Sequence, residues 1–146
     1  MKGFVLAREG VVEPGWIDEN GHMNIRWYAA LFDEGTAFIL GRLGIGARAI
    51  TDGCSTIIAS RVYMAHRKEM FEGEAWRLWS GLAAISRDGA TISHRLTCAR
   101  AVRATCDIRG EAVALSTRTR SVLPERVVAQ AQRLLVPGIA DRFART

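Results

Sequence analysis

The chain has 146 residues, 49% hydrophobic and 24% charged. That is the composition of an ordinary globular protein long enough to bury a core as a single domain over residues 1–146, and it excludes a disordered chain. No apolar run approaches the roughly 18 residues of a membrane span, and Met1 to Val5 carries no signal-peptide pattern, so a cytoplasmic protein with no membrane partner is expected. The net charge of +5 rests on scattered arginines, with Lys2 and Lys68 the only lysines. No nucleic-acid module accompanies them, and a dispersed basic surface suits an anionic small molecule at least as well as a phosphodiester backbone.

Along the chain, Phe4 to Val12 reads as a strand broken by Glu13-Pro14-Gly15. Asn24 can cap a helix running to about Leu43, stopped by Gly44 and Gly46. Within it Tyr28, Leu31, Phe32, Gly35, Phe38, Ile39 and Leu43 recur at helical spacing, and further apolar residues widen the face until the helix should be surrounded. Cys54 to Ala65 and Glu74 to Ser86 read as strands, with Arg87-Asp88-Gly89 as a tight turn. Ile92, His94, Leu96 and Cys98 then alternate with polar residues as in a half-buried strand. Asp107 to Gly110 reads as a further turn, Glu111 to Val122 as a last strand, and Pro124 as the start of a short helix to about Leu135.

This order predicts an α+β fold: a five-stranded antiparallel sheet wrapped around one long central helix, with a short C-terminal helix. Trp76, Leu78, Trp79 and Leu82 leave the other sheet face only partly polar, which suggests burial against a second subunit. Cys54, Cys98 and Cys106 form no Cys-x-x-Cys pair and no metal-ligand cluster, so reduced thiols and no metal or other cofactor are expected.

Chemistry concentrates in Trp16-Ile17-Asp18-Glu19-Asn20-Gly21-His22-Met23-Asn24, immediately before the long helix. A carboxylate beside a helix N-terminus lies next to backbone N–H groups that lack intrahelical partners. An acid or base adjoining ready-made oxyanion donors suits acyl transfer.

The string Asp18-x-x-Gly21-His22-Met23-Asn24, followed by Tyr28 and Phe32, resembles the hotdog-fold acyl-CoA thioesterases of the 4-hydroxybenzoyl-CoA thioesterase type, over roughly residues 4 to 125. The Trp-Ile-Asp-x-Asn-Gly-His-Met version is similar to the thioesterase domains that accompany carnitine dehydrogenases and are linked to betainyl-CoA. The resemblance implies a catalytic carboxylate at Asp18, acting as nucleophile or as general base, and a backbone N–H near Ile25 that polarises the thioester carbonyl. It implies no cofactor, an acyl-CoA substrate, and a homodimer or a homotetramer of dimers.

Each residue also has a plainer reading. Asp18 could be a turn residue, His22 could orient the carboxylate or only hold the loop, and Asn24 is foremost a cap. Gly21 suits close approach of the backbone to substrate, and Tyr28 belongs to the motif. Glu19 reads as solvated and Glu69 as part of an exposed charged turn, although the resemblance also allows an acid from the other end of the site there, and His94 reads as a satisfied, partly buried histidine. For the coenzyme phosphates, Arg118 and Arg120 would point to one side of the last strand about 7 Å apart, with Arg67 and Arg87 as weaker options. The alternatives are a non-catalytic hotdog module that binds acyl-CoA or acyl carrier protein, and a hydratase or dehydratase. The hydratase lacks its His/Asp pattern in the helix.

Overall fold

The computed structural model describes residues 1–47 and 55–144. Strands β1 (Val5–Val11), β2 (Ser55–His66), β3 (Ala75–Ser86), β4 (Gly89–Cys98), β5 (Ala101–Ala114) and β6 (Thr119–Arg120) form an antiparallel sheet. Its order is β1-β3-β4-β5-β2, with β6 paired to β5. The sheet therefore has six strands where five were expected. Helix α1 (Ile25–Arg42) packs on β3, β1 and β4. Helix α2 (Glu125–Ala131), with Pro124 at its N-cap, runs into a 3-10 turn over Gln132–Leu134. Cys54, expected at the head of the second strand, lies outside the described residues.

Asp107 to Gly110, expected as a turn, lie inside one continuous strand, β5, of 14 residues. Gly110 is there for packing: a Cβ on it would meet Ile57 Cγ2 at 1.9 Å, opposite the irregularity where β2 bulges between Ala59 and Arg61. The true turn between β4 and β5 is Ala99-Arg100, with φ of 49° and 62°, a left-handed pair that carries no glycine to announce it. At Arg87-Asp88-Gly89 the reading holds. Gly89 is required by close approach, because a Cβ would sit 2.0 Å from the Gly110 carbonyl oxygen.

Helix α1 buries Tyr28, Leu31, Phe32, Gly35 and Ile39 against the sheet. Its opposite stripe, with Ala29, Ala30, Ala37 and Gly41, is open, so within one chain the helix is not surrounded. Trp76, Leu78 and Leu82 face inward and are buried in this chain's own core. They therefore do not mark a second subunit. Each such side chain contributes on the order of 1.5–3 kcal/mol on burial.

The core has two apolar parts. One gathers Met23, Leu31, Phe32, Met70, Leu78 and Leu96; the other gathers Ile39, Leu43, Leu82, Ile92, Leu123 and Val127. Between them Gly35 and Thr36 of α1, Ser80 of β3 and His94 of β4 form a polar layer. The His94 ring nitrogens lie 2.8 Å from Ser80 Oγ and 3.0 Å from Thr36 Oγ1. Thr36 Oγ1 donates to the Phe32 carbonyl at 3.0 Å, so it accepts from His94 Nε2–H, and Nδ1 accepts from Ser80.

The outer sheet face is largely polar, with Trp79 half-buried on it and donating from Nε1 to Thr97 Oγ1 at 3.0 Å. Thr91, Ser93 and Asp107 are buried there under the C-terminal segment. Leu135 bridges to Leu82, Asp141 accepts from Thr91 at 2.6 Å, and Arg142 donates to Asp107 at 3.0 Å while covering the Tyr63 ring.

Candidate active site

The motif loop is a small closed turn ahead of α1. Ile17 and Met23 pair as an isolated bridge. Between them the Asp18 N–H donates to the His22 carbonyl at 3.1 Å and the Gly21 N–H to the Asp18 carbonyl at 3.0 Å, with Gly21 at φ 82°. That left-handed backbone is the physical reason for glycine here. Trp16 stacks on Trp27 at 5.0 Å, pinning the loop entrance to the first turn of the helix.

Both oxygens of the Asp18 carboxylate accept hydrogen bonds. The Asn20 N–H reaches Oδ1 at 2.8 Å and Asn24 Nδ2 reaches Oδ2 at 3.1 Å. Asn24 also caps the helix, its Oδ1 accepting from the Arg26 N–H at 3.0 Å. One side chain therefore ties the acid to the helix N-terminus. Ile25 is the first helical residue, so its N–H meets no intrahelical carbonyl, and its side chain is 63% exposed.

Beside this loop lies a cleft of about 320 Å³. His22, Met23, Ile25 and Tyr28 form one wall, and His66, Arg67, Lys68 and Glu69 the other. Asp18 is not among the lining residues and connects to the cleft wall through Asn24. The His22 Nδ1 sits 3.2 Å from the Met23 carbonyl, which can only accept; Nδ1 therefore carries the proton, and Nε2 faces Glu69 Oε1 at 3.9 Å. His22 accordingly turns to Glu69 and not to Asp18. Glu69, read as a solvated turn residue, is 60% exposed yet borders the cleft. Tyr28 and His66 meet edge to face at 4.6 Å. Burial pushes the Tyr28 hydroxyl pKa up, against a Met70 backbone hydrogen bond that lowers it, and burial pushes the His66 pKa down.

Other expected site residues are elsewhere. Arg118 occupies a left-handed turn at φ 58° and Arg120 the two-residue β6, so the pair does not share one side of a long strand. Val113 faces both Arg120 and Thr56, while His66 is ten residues further along β2, roughly 33 Å away at the rise of a strand. Within one chain these arginines do not reach the cleft. Arg67 does, with Lys68 beside it. Glu19 faces solvent. His94 is 0% exposed with both nitrogens engaged, and burial drives its pKa down to about 3, so it is a neutral core residue. Among the described residues no group of three His, Cys, Asp or Glu side chains could hold a metal ion, and no helix is long and apolar enough to cross a membrane. His66 in the cleft had no signal in spacing; only the pairing of β2 with β5 delivers it there.

The family model of the thioesterase-like superfamily matches residues 12–131, and the chain belongs to that superfamily. No curated protein matches the sequence. Among solved structures, a Staphylococcus aureus protein in complex with CoA is similar with a TM-score of 0.80 at 16% identity, covering 100% of this chain and 92% of its own. The 1,4-dihydroxy-2-naphthoyl-CoA thioesterase of Synechocystis superposes with a TM-score of 0.74 at 13% identity, over 87% of this chain and 95% of its own. The DHNA-CoA thioesterase of Staphylococcus aureus gives 0.69 at 14% identity, over 80% and 78%. These likenesses establish a shared hotdog fold.

Proposed function

We propose that this protein hydrolyses a small or medium acyl-CoA thioester to the free acid and CoA. The observation that carries the reading is the Asn24 bridge: one side chain holds the Asp18 carboxylate at 3.1 Å and caps the helix whose first amide is Ile25. Asn24 thus joins the acid to the first turn of the helix, whose leading residue, Ile25, lines the cleft. Membership of the thioesterase-like superfamily supports the same chemistry, as does the CoA complex of a structural neighbour.

In this reading the thioester carbonyl oxygen lies toward the Ile25 N–H and the positive end of α1, which stabilise the oxyanion. Asp18 acts in one of two ways. As a nucleophile it bonds to the carbonyl carbon, the C–S bond breaks with its electron pair leaving on sulfur, and water cleaves the resulting anhydride. As a general base it takes a proton from water while the water oxygen bonds to that carbon and the thiolate departs. Gly21 keeps the loop low beside the substrate, Tyr28 lines the acyl side, and His22, on the same wall, faces Glu69 across the cleft. Arg67 and Lys68 are the cleft's own cations for the coenzyme arm; Arg118 and Arg120 would serve only from a second copy.

Such a copy has a natural place. β2 is a 12-residue strand at the end of the sheet that exposes Ile58, Val62 and Tyr63, and pairing two β2 edges would give a homodimer.

Thiol release from acetyl-, hexanoyl-, betainyl- and benzoyl-CoA by the native chain and by Asp18→Asn tests the reading. Release by the native chain and its loss in Asp18→Asn are expected. Binding without release by the native chain would instead favour a module that holds acyl-CoA or acyl carrier protein.

A further inference from the structure

We propose that Arg103 and Glu74 are a positioning pair that sets the far wall of the cleft against the N-terminus of α1; the inference rests on the thioesterase reading of that cleft. Arg103 lies on β5 and is 5% exposed. Its Nη2 donates to Glu74 Oε1 at 3.0 Å and its Nη1 to Oε2 at 3.3 Å. Nη1 also donates to the Glu69 carbonyl at 2.6 Å. The Arg103 carbonyl accepts from the Arg67 N–H at 2.8 Å and the Lys68 N–H at 3.2 Å. One residue therefore holds three successive members of the wall.

The grip continues to the helix. Glu74 Oε2 accepts the Phe71 N–H at 2.8 Å, which closes the segment around Met70. The Met70 carbonyl accepts the Met23 N–H at 2.8 Å, and its backbone hydrogen-bonds the Tyr28 oxygen. An unbroken run of contacts thus leads from the Arg103 guanidinium to both walls of the cleft.

Stability alone does not account for such a pair. The arginine is buried while the Glu74 side chain is 30% exposed, so desolvating the guanidinium offsets part of the attraction, and apolar residues of similar volume often serve a fold as well. Arg103 Nε, moreover, is buried with no partner among the described residues. What the pair supplies is geometry: it fixes where Lys68 and Glu69 stand relative to His22.

The test uses the full chain with Arg103→Met, Arg103→Lys and Glu74→Gln. KM and kcat are read on the best thioester of the panel, Kd on the inert thioether S-benzyl-CoA, and folding by circular dichroism. Arg103→Met should raise KM and Kd by about tenfold while kcat stays within about threefold, and Arg103→Lys should fall between it and the native chain. A merely structural role reduces the active fraction, so kcat falls with KM and Kd unmoved. That pattern, or an unmoved KM and Kd in folded Arg103→Met, overturns the proposal. Should Arg103→Met not fold, Glu74→Gln carries the same comparison, because it keeps the side chain's shape and its acceptor for Phe71. If the native chain releases no thiol, the thioesterase reading falls and the positioning role is judged on Kd alone. A native chain that neither hydrolyses nor binds overturns both.

Discussion

Two histidines meet the same helix and do opposite things. His94 sits midway along α1, fully buried, with Ser80 on one ring nitrogen and Thr36 on the other. His22 sits at the helix start, part-exposed, with one nitrogen on a backbone carbonyl and the other turned to Glu69 across a cleft. A ring whose two nitrogens are both consumed inside a core can only pack and orient; one nitrogen left toward an open cleft is free to meet a ligand. The difference separates the middle of the helix, where polarity serves packing, from its N-terminus, where polarity serves chemistry.

The sharpest way to break this comparison is at the acid. Asp18→Asn should lower kcat by about 10²–10⁴-fold with the melting temperature unchanged; retained activity there, with loss in Glu69→Gln, would move the acid to the other wall. At mid-helix the reverse is expected. A Cβ on Gly35 would stand 2.7 Å from Ser80 Oγ and 2.9 Å from His94 Nδ1, so Gly35→Ala should destabilise by about 1–3 kcal/mol while the folded fraction keeps its activity.

A pH series gives a smaller, graded signal. His94 has its folded pKa depressed to about 3 from an ordinary 6.5, so between those values the unfolded chain binds a proton that the folded one refuses. Its contribution is full above pH 6.5 and declines toward pH 3, at up to ~1.4 kcal/mol per pH unit. Denaturant titrations from pH 7 to 4 should show that slope, and His94→Gln should flatten it. Smallest is the cap. Asn24→Ala should lose about 1 kcal/mol, whereas Asn24→Asp should keep the cap yet slow hydrolysis by facing Asp18 with a second carboxylate. Equal activity in Asn24→Asp and the native chain would detach Asn24 from the chemistry.

Local signals in the sequence were read well where local physics dominates. The cap at Asn24, the end of α1 near Gly44 and the turn at Asp88-Gly89 follow from neighbours a few residues away. The β4–β5 turn was missed because Ala99 and Arg100 take left-handed backbone without glycine, while Gly110 advertised a turn it does not make. Asp18 and Asn24 could be singled out as a string, whereas on the other wall Arg67 and Glu69 are only lesser candidates and His66 has no partner pattern. His66, Glu69 and Arg103 converge only through the pairing of β2 with β5, a long-range register that no spacing encodes. The arginine pair failed for the same reason: alternation implied a strand continuing through residue 118, where the chain in fact turns.

The C-terminal segment lying over the back of the sheet also governs how the molecule tolerates handling. Cutting the chain after Val136 would strip Asp141 from Thr91 and Arg142 from Asp107, leaving a buried carboxylate and two hydroxyl-bearing residues facing water on a bare sheet. A version shortened at that point would therefore carry a newly wetted back on the sheet, with Thr91 and Asp107 deprived of their partners.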